Sequence, residues 1–245
     1  MEKLNKIVNF LDDYLKIKEI EDDSWNGLQI KGKDNVKKIA FCVTAGADVF
    51  KKTLKEKPDL IIVHHGIFWK KGNPSVRGFN QDRIKILLNN NISLYASHLP
   101  LDKHLIVGNN VQLLKLFKAK PKELLGGVGY ISQEKKVKLK EIIKKLEKEL
   151  KTKCIVLNYG KEIIKKIGIV SGGAPWNVFE AIEKRVDLYI TGDSADVTET
   201  VKDAKINVIF AGHYATETLG LKALAKLLKK KFKIETVFID FPTRL

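Results

Sequence analysis

The stretch that decides the fold is Asp59-Leu60-Ile61-Ile62-Val63-His64-His65, in which an apolar run is followed directly by two histidines. A short, continuous apolar run is typical of a strand that is buried on both faces of a sheet. A similar stretch, Asp187-Leu188-Tyr189-Ile190-Thr191-Gly192-Asp193, lies further along the chain. The two stretches indicate two related units, each with a buried strand.

Around these stretches, short β-branched runs alternate with helical patterns from Val36 onward, after an opening helical pattern that begins at Leu4. This alternation predicts an α/β fold made of βαβ units with mainly parallel sheets. The predicted strands are 36–43, 59–63, 92–97, 127–132, 154–158, 166–170, 187–191, 206–211 and 234–239. The predicted helices between them are 46–56, 80–90, 108–118, 138–150, 175–185, 194–204 and 215–231.

Further matches extend the repeat. Lys37-Lys38-Ile39-Ala40-Phe41 reads like Lys165-Lys166-Ile167-Gly168-Ile169, at the same offset as the first match. Ser93-Leu94-Tyr95-Ala96-Ser97-His98 reads like Val208-Ile209-Phe210-Ala211-Gly212-His213, at a shorter offset that fits an extra loop at 66–78 in the first half. Chance similarity between two βαβ units is the alternative, but an acid follows each histidine by four residues, which favours duplication. We expect two similar halves, 1–125 and 126–245.

The charge of the chain has two interpretations. Among 245 residues, 45 Lys and Arg stand against 29 Asp and Glu, which gives a formal net charge of +16. Only 4 of the basic residues are arginines, the better residue for bidentate contacts to phosphates. Enrichment in Lys and Glu is associated with life at high temperature, so a solvated, lysine-rich surface is one interpretation. A surface that binds polyanions is the other.

Several classes of protein are excluded by the sequence. The longest apolar runs are strand-sized, and the N-terminus has no apolar secretion core, so we expect a soluble, cytoplasmic protein that does not enter a membrane. Two cysteines, Cys42 and Cys154, exclude a disulfide scaffold and a cysteine-rich zinc module. The absence of a P-loop motif and of a dinucleotide-binding glycine motif disfavours those two classes.

Four of the five histidines come directly after predicted strands: His64, His65, His98 and His213. Ligands of open parallel sheets bind outside the carboxyl ends of the strands. A single histidine there is more often a hydrogen-bonded structural residue. Four of them have no obvious packing role, particularly since Asp102 and Glu217 stand four residues after His98 and His213. Imidazole and carboxylate groups are ligands of Zn, Fe, Mn, Co and Ni.

If the two halves face each other, a metal site lies between them. A pair of divalent ions about 3.5–4 Å apart needs about three protein ligands each and a bridging carboxylate. The chain offers such a set in His64, His65, Asp102, His213 and Glu217.

Six segments carry a resemblance to a known family. They are Trp25-Asn26-Gly27-Leu28-Gln29, Val63-His64-His65-Gly66-Ile67-Phe68-Trp69, Ser97-His98-Leu99-Pro100-Leu101-Asp102, Gly108-Asn109-Asn110, Thr191-Gly192-Asp193 and Gly212-His213-Tyr214-Ala215-Thr216-Glu217. In this order, they resemble the Nif-three-like family, also called the GTP cyclohydrolase I type 2 family. The resemblance spans essentially the whole chain, in the family's short form without an inserted domain.

The resemblance implies a dinuclear metal site in which the five residues above are the ligands and Glu217 is a bridge. It implies a ring-shaped homohexamer with the sites facing an internal cavity. It also places His98 beside the metals and Asp193 at the position of a family acid. We therefore expect His98 and Asp193 either to support the metal ligands through hydrogen bonds or to transfer protons, and we do not count them as certain ligands.

Two functions of different class follow. The first is a metal-dependent hydrolase for a nucleotide or another phosphate-bearing substrate, with the conversion of GTP to dihydroneopterin triphosphate as the instance that the family name implies. Lys70, Lys71 and Arg77 are candidates to hold phosphate. The second is a homo-oligomeric ring that binds DNA or another nucleic acid non-specifically through its charge, with structural or accessory metals.

Two segments keep open interpretations. Trp25-Asn26-Gly27-Leu28 predicts a turn with a buried indole, and the family resemblance offers a wall of the substrate pocket instead. The loop 68–78 is either a lid with basic residues or an ordinary surface excursion.

Overall fold

The computed structural model describes residues 1–243, with the backbone alone at 134 and 135. The chain divides into two compact units. Unit 1 contains Met1–Leu101 and Leu221–Phe241, and unit 2 contains Asp102–Gly220 together with Pro242 and Thr243.

The described residues form a mixed α/β fold. The strands are β1 Glu2–Lys3, β2 Gly27–Ile30, β3 Asn35–Val36, β4 Lys38–Thr44, β5 Leu60–His65, β6 Ser93–Ala96, β7 Glu123–Leu125, β8 Gly129–Lys138, β9 Ile155–Asn158, β10 Ile163–Ile169, β11 Leu188–Thr191, β12 Asn207–Phe210 and β13 Glu235–Phe238. The helices are α1 Leu4–Leu15, α2 Ala47–Leu54, α3 Phe79–Asn89, α4 Leu99–Lys103, α5 Asn109–Leu116, α6 Leu139–Leu150, α7 Val178–Glu183, α8 Thr198–Asp203, α9 His213–Thr216 and α10 Thr218–Phe232, with a 3-10 turn at Pro175–Asn177. Each predicted strand and helix overlaps one of these elements.

The sheet of unit 1 has the strand order β13-β4-β5-β6-β2. All neighbouring pairs are parallel except β2 with β6. Phe41, Ile61 and Val63 of the central strands are fully buried, which explains the uninterrupted apolar run of the sequence. β5 extends to His65, whose carbonyl accepts a hydrogen bond from the backbone N–H of Ala45. The two histidines therefore belong to the strand, whereas the sequence predicted them just after it.

The sheet of unit 2 has the strand order β7-β8-β10-β11-β12-β9. Only β10, β11 and β12 are parallel to one another, and β7, β8 and β9 run antiparallel to their neighbours. The prediction of mainly parallel strands therefore describes the first sheet and only the centre of the second. The sequence did not predict these antiparallel pairs. Alternation of strands and helices indicates parallel strands joined by crossover helices, and it carries no signal for strands that pair antiparallel.

The compact units are bounded differently from the predicted halves, 1–125 and 126–245. β13 pairs with β4, which brings the C-terminal residues into the sheet of unit 1. Residues 102–125 belong to unit 2, where β7 pairs with β8. The last two positions of the second predicted half, 244 and 245, lie outside the described residues.

The first matched stretch begins with Asp59, whose carboxylate holds the start of β4 in place. Asp59 Oδ2 accepts hydrogen bonds from the backbone N–H groups of Lys37 (2.8 Å) and Lys38 (3.3 Å). Lys33 Nζ donates to Asp59 Oδ1 at 3.2 Å.

The second matched stretch begins with the same contacts. Asp187 Oδ2 accepts from the backbone N–H groups of Lys165 and Lys166, both at 3.0 Å, and Lys161 Nζ donates to Oδ1 at 2.8 Å. Asp59 and Asp187 therefore make equivalent contacts in the two units.

The last matched strand has a different register from the predicted one. Ser97 N–H donates to the carbonyl of Val63, and Ala211 N–H donates to the carbonyl of Thr191. Since Val63 and Thr191 are matched residues of the two stretches, Ser97 corresponds to Ala211. The sequence match had paired Ser97 with Gly212, so its offset is wrong by one residue.

This register separates the two histidines that the sequence had aligned. His98 corresponds to Gly212, and His213 corresponds to Leu99, the first residue of α4. The sequence match followed identical residues, whereas strands of four residues hold too little sequence to fix their own register.

Candidate metal centre

The sheet of unit 1, rather than a loop, positions His64 and His65. Thr44 lies beside His65 in the ladder, and its Oγ1 is 3.0 Å from His65 Nδ1. His64 is fully buried, with Nδ1 2.9 Å from the carbonyl oxygen of Ser97. A carbonyl oxygen only accepts hydrogen bonds, so Nδ1 of His64 carries the proton and Nε2 carries the lone pair that binds metals.

His98 completes a group of three imidazoles in unit 1. Its backbone N–H donates to Asn26 Oδ1 at 2.8 Å, and its Nδ1 donates to Asp22 Oδ1 at 2.9 Å. One ring nitrogen each of His64, His65 and His98 lie within 4.8 Å of one another. The resemblance placed His98 beside the metals, and its ring nitrogen is indeed close enough to those of His64 and His65 for all three to contact one ion.

Asp22 is a functional candidate that the sequence analysis missed. Asp22 is only 5% exposed. Its Oδ2 accepts hydrogen bonds from Asn26 Nδ2 and from the backbone N–H of Leu99, both at 2.9 Å. Burial acts to raise the pKa of Asp22, but the hydrogen bonds from His98 and Asn26 lower it to about 2. The carboxylate is therefore ionised and holds the imidazole of His98 in one orientation. The only local signal was a run of turn-forming residues from Asp22 to Gly27.

In unit 2, one short helix positions His213 and Glu217. His213 is the first residue of α9, and its Nε2 lies 3.1 Å from Glu217 Oε1, in the i, i+4 arrangement that the spacing predicted. Its Nδ1 lies 2.9 Å from Asp193 Oδ2. Burial acts to lower the pKa of His213, but Glu217 and Asp193 together raise it to about 9. The ring of His213 therefore lies between two carboxylates that stabilise its protonated form.

Gly172 allows the backbone to approach Glu217. Its φ is +70°, and a Cβ at this position would lie 2.2 Å from Glu217 Oε1 and 3.3 Å from His213 Nε2. Any side chain at residue 172 would therefore occupy the space beside both predicted ligands. Glu217 itself is 2% exposed. The Gly172-Gly173 pair was not singled out in the sequence.

Asp102 is oriented by neighbours within unit 2. It is buried, and its Oδ1 accepts hydrogen bonds from Asn109 Nδ2 (2.8 Å) and Ser171 Oγ (2.9 Å). Asn109 is held in turn by the backbone N–H of Gly220, which donates to its Oδ1 at 2.7 Å. These contacts explain why the Gly108-Asn109-Asn110 segment accompanies the acid.

The chemistry of these donors fits a divalent transition metal. Imidazoles with Nδ1 already bonded and buried carboxylates are the ligands that such ions prefer. The predicted site residues fall into two local groups, His64, His65 and His98 in unit 1 and Asp193, His213 and Glu217 in unit 2, with Asp102 in its own hydrogen-bonded network.

The structure decides one further sequence interpretation. Trp25 is 58% exposed, so the buried-indole interpretation is wrong, and its ring lines a cavity of unit 1. Lys70, Lys71 and Arg77 are exposed, and Lys71 Nζ is 2.7 Å from Asp23 Oδ2.

Comparisons with known proteins identify the family of the chain. The profile of the Duf34/NIF3 (NGG1p interacting factor 3) family matches residues 2–244. The chain belongs to this family. The Duf34/NIF3 assignment confirms the resemblance found in the sequence, and the histidine pair of β5 and the His-x3-Glu of α9 lie inside the matched range.

Named relatives and solved structures cover the same span. A relative from Pyrococcus abyssi, named "GTP cyclohydrolase 1 type 2 homolog", is 44% identical over 248 residues, 98% of each chain. One of the same name from Pseudomonas aeruginosa is 38% identical over 251 residues, 98% of this chain and 97% of the relative. The structure of the protein ybgI has a TM-score of 0.94 at 31% identity, and that of a Thermus thermophilus protein has 0.91 at 36%, each over 100% of both chains.

Within residues 1–243, no helix of this Duf34/NIF3 chain has both the length and the apolar character to cross a membrane.

Proposed function

We propose that this Duf34/NIF3 chain is a metal-dependent hydrolase that acts on a nucleotide or another phosphate-bearing substrate. Two divalent ions, from among Zn, Fe, Mn, Co and Ni, would be held by His64, His65, Asp102, His213 and Glu217, with Glu217 as the shared ligand that the family resemblance implies. His98 and Asp193 act as proton-transfer or positioning residues beside them.

One observation carries the proposal: three histidines have Nδ1 bonded to a carbonyl or carboxylate oxygen. The acceptors are Ser97 O for His64, Asp22 Oδ1 for His98 and Asp193 Oδ2 for His213. Metal-binding histidines characteristically donate their other ring N–H to such an acceptor, which fixes the tautomer and the ring orientation. Three histidines with purely structural roles would have no reason to share this arrangement, in which Nδ1 is bonded and Nε2 is left for another partner.

Bound metal ions would lower the pKa of a shared water towards neutrality and polarise the bond to be hydrolysed. The protein residues then manage protons around that bond. Because Nδ1 of His98 is bonded to Asp22, Nε2 is the ring nitrogen that is left to exchange a proton with the substrate. Asp193 keeps the Nδ1 proton of His213 in place, so that Nε2 of His213 is the atom that must be deprotonated for metal binding.

The name of the relatives and the chemistry of the site support this substrate class. In the reaction that the name implies, water attacks the imidazole carbon of GTP, the ring opens, formate leaves, and rearrangement gives dihydroneopterin triphosphate. Phosphoester hydrolysis uses the same kind of dinuclear centre. Nucleotides and phosphodiesters therefore form the substrate panel.

The test combines metal analysis with a substrate assay. The protein, purified without chelator, is expected to contain two transition-metal ions per chain and to hydrolyse at least one member of the panel. His64→Gln and Glu217→Gln are expected to lose metal and activity, whereas His104→Gln, which alters the fifth histidine, keeps both. Wild-type protein that is inactive on the whole panel while the ligand variants retain metal would refute the proposal.

We also propose a ring-shaped homohexamer, which the family resemblance implies. Light scattering should then give a particle of six 27.7 kDa chains. A monomer or dimer at micromolar concentration would contradict the ring.

A further inference from the structure

Unit 1 contains a cavity of about 570 Å³ that none of the predicted ligands lines. Its aromatic walls are the side chains of Trp25, Phe68, Trp69 and Phe79. Trp69 connects the cavity with the histidine group, because its ring centroid lies 5.1 Å from that of His98 and 6.1 Å from that of His65. A molecule in the cavity would therefore contact a ring that also contacts the candidate proton-transfer residue.

The polar groups of the cavity define what would occupy it. Asn80 Oδ1 is buried and has no hydrogen-bond partner among the described residues. A buried acceptor without a donor is costly, so an occupant that supplies an N–H group is favoured. Arg83 also lines the cavity, with its guanidinium carbon 5.1 Å from the centroid of the Phe79 ring. Of the described residues that line the cavity, none is acidic, which disfavours a cationic occupant.

We propose that this cavity binds the base of a nucleoside or nucleotide. The planar ring packs against the aromatic side chains, as bases do on protein aromatics. An N–H group of the base donates to Asn80 Oδ1, and Arg83 donates to a carbonyl or phosphate oxygen of the same molecule. This inference deepens the proposed function and rests on it for the fate of the bound molecule, but not for the binding itself.

Other occupants satisfy fewer of these groups. An aliphatic chain would pack against the rings but leave Asn80 Oδ1 without a donor. A sugar phosphate would satisfy Arg83, and a hydroxyl group could donate to Asn80 Oδ1, but it has no planar ring to stack on the four aromatic walls. Only a planar ring with both N–H donors and acceptor oxygens uses all three features.

Titration calorimetry on the full chain tests the proposal with guanosine, guanosine 5′-monophosphate and ribose 5-phosphate. Each is measured on the protein as purified and after chelator treatment, so that failure of hydrolysis or of metal binding stays distinct from failure of base binding. We expect guanosine and its monophosphate to bind to both preparations and ribose 5-phosphate to bind to neither. Tighter binding of the monophosphate than of guanosine would assign Arg83 to the phosphate, and equal affinity would assign it to the base.

Variants test the two polar contacts. Asn80→Leu and Arg83→Gln are each expected to weaken monophosphate binding about tenfold, as for the loss of one hydrogen bond. Arg185→Gln, an exposed arginine of unit 2, is the matched control and should bind like the wild type. Equal affinity of Asn80→Leu and wild type would overturn the proposal, as would equal affinity for ribose 5-phosphate and the nucleotide.

Indole resonances give a readout that needs no variant. On addition of guanosine to the chelated protein, the Nε1–H signals of Trp25 and Trp69 should shift, and that of Trp176, in unit 2, should not. Unchanged signals of Trp25 and Trp69 at millimolar guanosine would refute base binding even if every variant failed to fold.

Discussion

Asp22 Oδ1 accepts a hydrogen bond from Nδ1 of His98 at 2.9 Å, across 76 residues of sequence. The same Asp22 carboxylate accepts the backbone N–H of Leu99, the residue that begins α4. One buried acid thus fixes both the ring of His98 and the start of the helix that follows it. The pair resembles the carboxylate–histidine arrangement that orients metal ligands and general bases.

Replacement of this acid should weaken the centre more than it weakens the fold. Asp22→Asn leaves an oxygen of similar shape but removes the charge that holds the Nδ1 proton of His98. We expect metal affinity or turnover to fall about 10- to 100-fold. Metal content after dialysis against a graded chelator measures the effect. Asp23→Asn, which alters the exposed partner of Lys71, is the control, and an equal loss in both variants would show that Asp22 has no special role.

The raised pKa of His213 predicts how the metal-free protein responds to pH. Glu217 and Asp193 stabilise the protonated ring up to a pKa of about 9, above the usual value of 6.5. The stability from this imidazolium is present in full below pH 6.5 and is lost as the pH rises through 9. We therefore expect the melting temperature of chelated protein to fall across this range, and the fall to be smaller in Glu217→Gln. A melting temperature that rises from pH 7 to 9 in the chelated wild type would contradict this assignment.

Metal uptake should release the same proton. At pH 7.5, His213 of the metal-free protein is protonated, and a metal at Nε2 requires the neutral ring. Calorimetric titration of the metal in buffers of different ionisation enthalpy measures the protons released. We expect His213→Gln to release fewer protons per ion than wild type, and equal release would remove His213 from the ligand set.

Gly172 and Gly127 provide a matched pair for the space beside Glu217. Both have positive φ, +70° and +73°, but a Cβ at Gly127 would meet nothing within 4 Å. Alanine at either position costs about 1 kcal/mol for the backbone conformation. Only Gly172→Ala adds a clash with Glu217 Oε1, worth about 1–3 kcal/mol in a tightly packed site. The free energy of unfolding in urea and the metal content should both be lower for Gly172→Ala than for Gly127→Ala. Equal values for the two variants would show that Glu217 moves aside without cost.

The net charge of +16 predicts weak, salt-sensitive binding of nucleic acid. Many lysines lie in exposed ion pairs, such as Lys6 with Glu2 and Lys51 with Asp48, as expected for a solvated surface. Gel shifts with single- and double-stranded DNA should lose the complex by about 150 mM salt, where screening is effective. A complex that survives this concentration would favour the nucleic-acid-binding ring over the hydrolase.

The sequence predicted the buried strands well because a strand that is buried on both faces consists of an unbroken apolar run, as in Leu60–Val63. It missed β2 and the short helix α4, since four or five residues carry too little periodicity to be recognised. It also aligned His98 with His213, although the strand ladders place them one residue apart. Residue identity marks which side chains matter, but hydrogen bonds between neighbouring strands set their positions.

The candidate ligands were predictable as residue types, whereas their supports were not. His64, His65 and His213 stand out because histidine is rare in this chain. Asp22 and Gly172 act through contacts with residues far away in sequence, and such contacts leave no local pattern.

The Nδ1 contacts of His64, His98 and His213 have a consequence for how the protein acquires its ions. The rings are already aimed when the backbone has folded, so their rotational freedom is lost before any cation arrives. Loading should then be rapid and leave the polypeptide nearly unchanged. Under the proposed function, empty and filled chains would therefore exchange cations without unfolding, and the supply of ions in the cell would decide which cation occupies the site.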